Sequence, residues 1–404
     1  MVRILSVLLL ALFFPFSGKA DDKSFDVFLK EYSSTIFPAE RDLLLSEFWQ
    51  TALRKGIPYI EDNKREVIFL FRGKDSVRLT GDFTSWAFRM PLRNLQESDL
   101  WYLKLSFEPD ARLDYKFVLG NGREILDPNN PRIGPGGYGD HSELAMPDYS
   151  PAVELIEQKN IHKGNLVTMT VSSKILQYDH KIFVYLPPGY ESSTLSYRVA
   201  YFQDGSDYIN FGKARTVLDN LLDAKAIAPT IGVFVIPPTD SATNRTTEYG
   251  MSPSYEKFFI TELIPFVDKK YRTEKTSGNR LIIGTSYGGL SSLCIAFNNQ
   301  SQIENVASQS GYASFRNDTL STLFRKAAPR HLKIYLGVGT YEKNVGGGVL
   351  PMREADLLAA NRRLAKVFEQ KQYTFQYREF HDGHSWSRWR TELPNILRWF
   401  FPPR

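Results

Sequence analysis

A serine stands between two glycines in the stretch Gly284-Thr285-Ser286-Tyr287-Gly288, a G-x-S-x-G pattern. Such a serine can attack a carbonyl carbon when a sharp strand-to-helix turn exposes its hydroxyl, and glycines permit the strained backbone and the close chain approach that this turn needs. The turn also directs the following amide, that of Tyr287, at the oxygen that becomes negative during the attack. We therefore predict that Ser286 is a catalytic nucleophile; the alternative is a structural serine in a tight turn.

A serine hydroxyl needs a base, and on this kind of turn the chain order is serine, then acid, then histidine. Three histidines follow Ser286, namely His331, His381 and His384. His331 begins an apolar strand and His381 lies at the end of another, whereas His384 follows a glycine in a loop before the last helix. We predict that His384 is the base, with His381 as the alternative.

The acid is expected in the loop after the preceding strand, "KIYLGVGT". Glu342 is the first carboxylate there, and we predict that it fixes the tautomer of the imidazole and stabilises its protonated form. Glu354 and Asp356 are alternatives, although "MREADLLAANRRL" predicts a helix with a solvated charged face. Asp382, beside the histidine loop, is a further alternative.

A second amide for the oxyanion is expected after an earlier strand. The stretch "AYFQDGSDY" places Gly205 and Ser206 directly after a buried strand, and Gly205 can turn a backbone N–H towards the serine. A plain turn is the competing interpretation.

The elements that must position these residues alternate between strand and helix from residue 151 to 404. Continuous apolar runs are typical of buried parallel strands, and amphipathic stretches lie between them; the runs are "RVAYFQDG", "TIGVFVIPP", "RLIIGTS" and "HLKIYLGVGT". This pattern predicts an α/β sheet with helices on both faces.

The N-terminal half has a different pattern of apolar and polar residues. Residues 21–62 carry apolar positions at helical spacing, and we expect them to form a helical packing segment. Residues 63–150 contain short alternating segments separated by turn residues, which predicts a small antiparallel sandwich. The Gly/Pro-rich stretch at 130–151 is interpreted as an exit and a linker.

The first twenty residues predict an export signal. Arg3 precedes the apolar run "ILSVLLLALFFPF", and small residues stand before a cut after Ala20. We therefore expect a periplasmic or secreted protein, with an uncleaved N-terminal anchor as the alternative. Cys294 is the single cysteine, so no intrachain disulfide can form.

Composition excludes several function classes. The net charge of +5 is spread over 404 residues without a block of like charge, which argues against nucleic acid as a partner. No G-x-G-x-x-G follows a strand and no paired ligand cluster is evident, so neither a cofactor nor a metal is expected.

Over residues 160–400 the chain resembles the esterase family of α/β-hydrolases that includes enterochelin, feruloyl and acetylxylan esterases. The resemblance is carried by "VYLPPGY", "GTSYGGLSSL", "SQSGY", "GTYE" and "GHSWSRW", and the enterochelin esterase branch is the most similar. It implies an α/β-hydrolase domain with Ser286, Glu342 and His384 as its triad. It also implies Arg353 as a substrate-binding residue.

Two further residues follow from the same resemblance. "NRTTEYG" matches the branch in the spacing of an arginine and a glutamate, which implies that Arg245 and Glu248 lie near the substrate mouth. An ordinary surface ion pair between the two is the alternative.

The N-terminal region resembles the immunoglobulin-like early-set modules that precede glycogen-acting enzymes and many esterases. The matching stretches are "VRLTGDFTSW", "LWYLKLSF", "YKFVLG" and "ILDPNNP". Trp86 or Trp101 could stack on a sugar ring in such a module, but a role in packing over the active-site mouth is favoured.

Together these features predict an exported serine esterase that acts on a small-molecule or glycan-linked ester through an acyl-enzyme. Siderophore esters of the enterochelin type are the first substrate class, and carbohydrate-linked feruloyl or acetyl esters are the second. Acyl transfer by the same triad is a rival chemistry. A binding protein on a hydrolase scaffold is the alternative without catalysis.

Overall fold

The described part of the chain starts with two helices that pack on a sheet. The computed structural model describes residues 23–137, 139–240, 243–345 and 355–403, so the predicted signal peptide lies outside the described residues. The helices are α1 (Phe25–Ser34) and α2 (Pro38–Lys55). The rings of Phe28 and Phe48 stack 4.2 Å apart between them, so the two helices contact each other through apolar side chains.

Two antiparallel sheets follow and enclose a second core. Their strands are β1 (Tyr59–Ile60), β2 (Glu66–Arg72), β3 (Val77–Gly81), β4 (Met90–Pro91), β5 (Arg93–Asn94), β6 (Leu100–Ser106), β7 (Arg112–Leu119), β8 (Glu124–Ile125), β9 (Ile133–Gly134) and β10 (His141–Ala145). One sheet has the order β1-β2-β6-β5 and the other β4-β3-β7-β10-β9, with β8 beside β7. Val67 and Phe69 of one sheet and Leu79, Leu113 and Phe117 of the other are fully buried in a shared cluster, as alternation along half-buried strands requires.

The prediction of a linker at 130–151 was wrong in part. Strand β10 pairs with β7 over four residues and with β9 over two, so this stretch belongs to the sandwich. Its strands are short and carry few apolar residues. The hydrogen-bonding edge of β7 organises them, rather than their own periodicity.

The C-terminal half contains one large sheet within the described ranges. Its strands are β11 (Asn165–Ser172), β12 (Asp179–Leu186), β13 (Arg198–Phe202), β14 (Thr230–Val235), β15 (Arg280–Thr285), β16 (Asn305–Gln309), β17 (Lys333–Gly339) and β18 (Thr374–Phe380). The order is β11-β12-β14-β13-β15-β16-β17-β18. The strands from β14 to β18 along this order are parallel to one another. Strand β12 is antiparallel to both of its neighbours, β11 and β14.

Helices cover both faces of this sheet. They are α3 (Gly205–Asn210), α4 (Ala214–Asp223), α5 (Arg245–Tyr249), α6 (Pro253–Phe258), α7 (Ile264–Lys270), α8 (Tyr287–Asn298), α9 (Phe315–Lys326), α10 (Leu357–Gln370) and α11 (Trp386–Phe400). A π-helical turn at Phe259–Leu263 joins α6 to α7. Along β15, Ile282 is buried in the cluster on one face while Leu281 and Ile283 are buried in the cluster on the other.

The predicted fold class is confirmed: an α/β-hydrolase-type domain follows a small all-β domain. In such a sheet the carboxyl ends of the parallel strands lie along one edge, which is where ligands bind in open α/β folds. The domain boundaries at residues 62 and 150 stay predictions. Among the described residues, none of the helices has the length and apolarity needed to cross a bilayer.

Candidate active site

Ser286 lies at the sharp turn between β15 and α8. Its backbone has φ 54° and ψ −119°, a region that residues with a side chain rarely adopt and that is found at functional sites. The turn is held by the Ser286 N–H, which donates to the carbonyl of Gln309 at 3.0 Å. The residue is 5% exposed, so the surrounding chain shields it from bulk water.

The glycines around this turn are required by close packing. A Cβ on Gly284 would stand 2.3 Å from the carbonyl carbon of Gly288, and one on Gly289 would stand 2.6 Å from Oγ of Ser308. Helix α8 therefore approaches the sheet so closely that no side chain fits at position 284 or 289. The Tyr287 N–H is in the first turn of α8, where amides have no intrahelical acceptor.

His384 and Glu342 are directly hydrogen-bonded. Nδ1 of His384 lies 2.7 Å from Oε2 of Glu342, and the imidazole is 16% exposed while the carboxylate is fully buried. His384 lies in the loop between β18 and α11, and Glu342 follows β17. This bond leaves Nε2 as the ring nitrogen that can accept a proton, if Nδ1 carries the hydrogen.

The second oxygen of Glu342 is held by two donors. Oε1 accepts from Oγ of Ser310 at 2.6 Å and from the Gly339 N–H at 2.7 Å. Ser310 Oγ in turn accepts from Nε1 of Trp389 at 2.8 Å, and the Trp389 ring meets the His384 ring edge-on at 4.9 Å. The carboxylate is thus fully hydrogen-bonded in its buried position, as a buried charge must be.

The alternative histidines and acids lie elsewhere or have other partners. His331 is exposed and pairs with Glu304, and His381 contacts Asp110 at 2.6 Å. Asp356 caps α10 by accepting from the Ala359 N–H. Asp382 is buried and accepts from the N–H of Gly383 at 2.8 Å, and Glu354 lies outside the described residues.

Gly205 and Ser206 begin α3 immediately after β13. A Cβ on Gly205 would stand 2.4 Å from the backbone carbon of Phe234, so only glycine fits there. Asp204, just before them, has a left-handed backbone with φ 55°. The N–H groups of Gly205 and Ser206 are in a first helical turn, which leaves them without intrahelical acceptors.

Arg245 links the two backbone turns. Its guanidinium donates to both oxygens of Asp204, at 2.6 and 2.8 Å, and to the carbonyl of Thr285 at 3.1 Å. A bidentate pair of this kind fixes geometry as well as charge. Arg245 therefore joins the residue before Gly205 to the residue before Ser286.

Glu248 does not form the ion pair with Arg245 that was the alternative. It is buried and accepts from the Tyr178 hydroxyl at 2.5 Å, and its carboxylate lies 3.0 Å from Nε2 of His180. These contacts anchor helix α5, which carries Arg245. Arg353, the third residue that resemblance implied for the substrate, lies outside the described residues.

The carboxyl ends of four neighbouring parallel strands therefore present the site. Ser286 follows β15, Ser310 follows β16, Glu342 follows β17 and His384 follows β18. Within the ranges that the structure describes, no group of three or more histidine, cysteine or carboxylate side chains could hold a metal ion.

Two residues of this arrangement were not predicted from the sequence. Ser310 stands in "SQSGY" and Trp389 in "GHSWSRW", stretches that carried family resemblance without an assigned role. In the structure Ser310 has a positive φ of 51°, which distinguishes it from its neighbours in the backbone. No local signal pairs it with a tryptophan 79 residues away.

Comparison with known proteins identifies the family. The model of the family described as "Putative esterase" matches residues 173–400, more than half of the chain. The chain belongs to this esterase family. It is also 30% identical to the uncharacterized protein YjcH of Bacillus subtilis over 232 residues. This aligned region covers 56% of this chain and 93% of YjcH.

Two solved structures have a similar fold to this esterase. The ferric enterobactin esterase of Salmonella typhimurium superposes with a TM-score of 0.72 and 18% identity, over 88% of this chain and 98% of that chain. The ferulic acid esterase of Anaeromyces mucronatus in complex with ferulic acid superposes with a TM-score of 0.51 and 19% identity, over 62% and 95%. Because it covers 88% of this chain, the first match extends into the sandwich.

Proposed function

We propose that this esterase is a serine hydrolase that forms an acyl-enzyme on Ser286. His384 Nε2 takes the proton from the serine hydroxyl as Oγ attacks the ester carbonyl, and later gives it to the leaving alcohol. Glu342 orients the ring and stabilises its protonated form. Water then attacks the acyl-enzyme with His384 again as the base. The hydrogen bond between His384 and Glu342 on the strand edge that carries Ser286 is the observation that carries the proposal.

The oxyanion would be held by backbone N–H groups from two turns. The amide of Tyr287 follows the nucleophile, and that of Gly205 or Ser206 comes from the turn after β13. Arg245 supports this assignment because it ties both turns together through Asp204 and the carbonyl before Ser286. Donors that are fixed before reaction need no reorganisation in the transition state.

A siderophore ester of the enterobactin type is the substrate class that we propose first. The similarity to a ferric enterobactin esterase runs through both domains, since 88% of the chain is covered. Tyr287, Tyr312 and Phe315 form a cluster with ring centroids 5.0 to 5.8 Å apart next to the nucleophile. Arg316 lies 4.9 Å from the Phe315 ring. Aromatic faces beside a cation suit a hydroxylated aromatic ring.

A feruloyl ester of a carbohydrate is the second candidate. The same aromatic cluster suits a ferulate ring, and the fold is shared with a ferulic acid esterase over the catalytic domain. Transfer of the acyl group to an alcohol other than water would use the same residues. We further propose that the chain is exported, on the basis of the apolar stretch and small residues at 1–20.

A hydrolysis panel tests the proposal. The purified protein is incubated with a cyclic catecholate siderophore, a feruloylated sugar and an acetylated sugar, with and without an alcohol acceptor, and the products are separated by chromatography. Ser286→Ala should abolish hydrolysis and labelling by a fluorophosphonate, while the exposed control Ser192→Ala should retain both. Equal activity of Ser286→Ala and the wild-type protein would refute the serine mechanism. The absence of any turnover or adduct would favour a binding protein.

A further inference from the structure

The sandwich contacts the backbone of the loop that carries His384. The N–H of Arg112, the first residue of β7, donates to the carbonyl of His381 at 2.9 Å. Next to this contact, a Cβ on Gly383 would stand 2.1 Å from the carboxyl carbon of Asp82. The residues just before His384 thus lie against the N-terminal domain.

The Arg112 side chain reaches the other side of the same histidine. It is completely buried, and its Nη1 donates to Oγ of Ser385, the residue after His384, at 3.0 Å. Its other nitrogens are held within the sandwich, because Nη2 donates to Asp114 at 2.5 Å and Nε donates to Glu143 at 2.9 Å. One guanidinium therefore connects three fixed acceptors, which its planar fork suits and a lysine ammonium does not.

Asp382 completes this contact. Its Oδ1 lies 3.8 Å from Nη1 of Arg112 and accepts from the Gly383 N–H at 2.8 Å and from Ser385 Oγ at 3.3 Å. Burial raises the pKa of the Asp382 carboxyl, and the charge of Arg112 opposes that rise. The carboxylate thus links the arginine to the residues on both sides of the catalytic histidine.

The acid loop is held from the same domain. The hydroxyl of Tyr341, the residue before Glu342, donates to Oε2 of Glu108 at 2.6 Å. The N–H of Tyr341 donates to the carbonyl of Asp382 at 3.2 Å. The sandwich therefore contacts the chain beside both partners of the bond between His384 and Glu342.

We propose that the N-terminal sandwich is a working part of the active site, in which Arg112 is a positioning residue that fixes the His384 loop. The inference rests on the proposed serine mechanism for the role of His384. It goes beyond that mechanism in assigning a part of catalysis to a domain that contributes no reacting group.

The physical reason is that both loops lie beyond the ends of their strands. Neither the sheet ladder nor a helix holds residues 381–385, except through the cap that Ser385 provides to α11. A displacement of about 1 Å in a catalytic group can lower the rate about a hundredfold. The buried guanidinium limits such displacement because moving away would leave it and its carboxylates unpaired.

Arg112→Lys is the test variant, since it retains the charge but cannot reach Ser385, Asp114 and Glu143 together. The matched control is Arg72→Lys, which alters a bidentate pair with Asp99 on the exposed side of the same domain. We expect Arg112→Lys to lower kcat on a short-chain p-nitrophenyl ester by about ten- to a hundredfold with KM within about twofold. The control should match the wild-type protein in both constants.

A spectroscopic measurement makes the test independent of turnover. The Nδ1 proton of His384 that bonds to Glu342 should give a strongly deshielded proton resonance, identified by its loss in Glu342→Gln. In folded Arg112→Lys this resonance should move or broaden, and in Arg72→Lys it should not. A merely stabilising Arg112 would leave both kcat and the resonance unchanged at temperatures where the variant is folded, and that result would overturn the proposal.

Two further outcomes are distinguishable. If Arg112→Lys does not fold, the proposal is tested with Tyr341→Phe, which removes only the hydroxyl contact with Glu108. A kcat that falls severalfold in this variant supports the proposal. An unchanged kcat overturns it. If the wild-type protein hydrolyses no ester, the proposed function fails. The resonance of His384 then still reports whether Arg112 positions the loop.

Discussion

Replacing Glu342 by glutamine keeps the shape of the side chain, and the hydrogen bonds around it dictate how the new amide must lie. Oε1 accepts from the Gly339 N–H at 2.7 Å and from Ser310 Oγ at 2.6 Å. Because a backbone N–H can only donate, the amide oxygen must occupy this position. The amide NH2 group then faces Nδ1 of His384, where the distance to the carboxylate was 2.7 Å.

This orientation forces His384 into the tautomer that cannot act as a base. An NH2 group donates to Nδ1, so the ring hydrogen moves to Nε2, and Nε2 can no longer accept the proton of the Ser286 hydroxyl. The equivalent exchange in a serine, histidine and acid triad lowers kcat about 10⁴-fold, which corresponds to ~5 kcal/mol of transition-state stabilisation. We expect a loss of about 10³- to 10⁴-fold for Glu342→Gln.

The assay is the steady-state hydrolysis of a short-chain p-nitrophenyl ester, with thermal unfolding followed by circular dichroism. Glu157→Gln is the matched control, because Glu157 is exposed and pairs with Lys163 at the surface. KM should change little in Glu342→Gln, since the substitution acts on proton transfer. A kcat within about tenfold of the wild-type value, in a folded Glu342→Gln, would show that Glu342 is not the triad acid.

Three other predictions concern the oxyanion turn, the cysteine and the response to pH. Gly205→Ala would put a Cβ 2.4 Å from the backbone of Phe234, and the displaced turn should lower kcat about a hundredfold, as loss of one oxyanion donor does. Burial, followed by the charge of Glu256, raises the pKa of the Cys294 thiol to about 12, so at pH 8 roughly one molecule in ten thousand carries the thiolate and a disulfide reagent should label it only after unfolding. Burial, followed by the charge of Asp114, raises the pKa of Asp82 from its ordinary 3.8 to about 7. The folded state therefore binds the proton more tightly, so the stability contributed by protonated Asp82 is fully present below about pH 3.8 and is lost as the pH rises from there through about 7. Asp82→Asn should flatten the dependence of melting temperature on pH between these two values.

Each of these predictions has a result that contradicts it. The control for Gly205→Ala is Gly278→Ala, where the nearest atom to a Cβ is a flexible glutamate oxygen at 3.4 Å; equal activity of the two variants would argue against the packing argument. Rapid labelling of the native protein would show that Cys294 is accessible and ionised. Parallel melting curves of Asp82→Asn and wild type across the pH range would mean that Asp82 has the same pKa folded and unfolded.

The local part of the site could be predicted because its physics is local. Glycines at 284 and 288 permit the turn at Ser286, and an apolar run before them with small residues after them predicts a strand and a closely packed helix. Chain order then restricted the histidine to the three that follow Ser286, and the loop position favoured His384 over His381. It placed the acid after the strand "KIYLGVGT", where Glu342 is the first carboxylate. The structure brings these two together at 2.7 Å, and their catalytic roles stay predictions.

Contacts between distant residues could not be predicted in this way. Arg245 meets Asp204 across 41 positions and Trp389 meets Ser310 across 79, and no periodicity or spacing rule connects either pair. The strand at His141–Ala145 was missed for the same reason, since its partner strand β7 and not its own sequence decides that it pairs.

The sequence by itself determined the elements and their order: two helices, a region of short alternating strands, and a strand-helix series with a serine on a glycine turn. Backbone sterics and hydrophobic periodicity act over a few residues, so they can be read along the chain. Only the tertiary structure decided that Arg112, in the all-β domain, lies 3.0 Å from the residue after His384. That contact depends on how two domains pack, because the buried guanidinium has its hydrogen-bond acceptors on both domains only when both surfaces are in place.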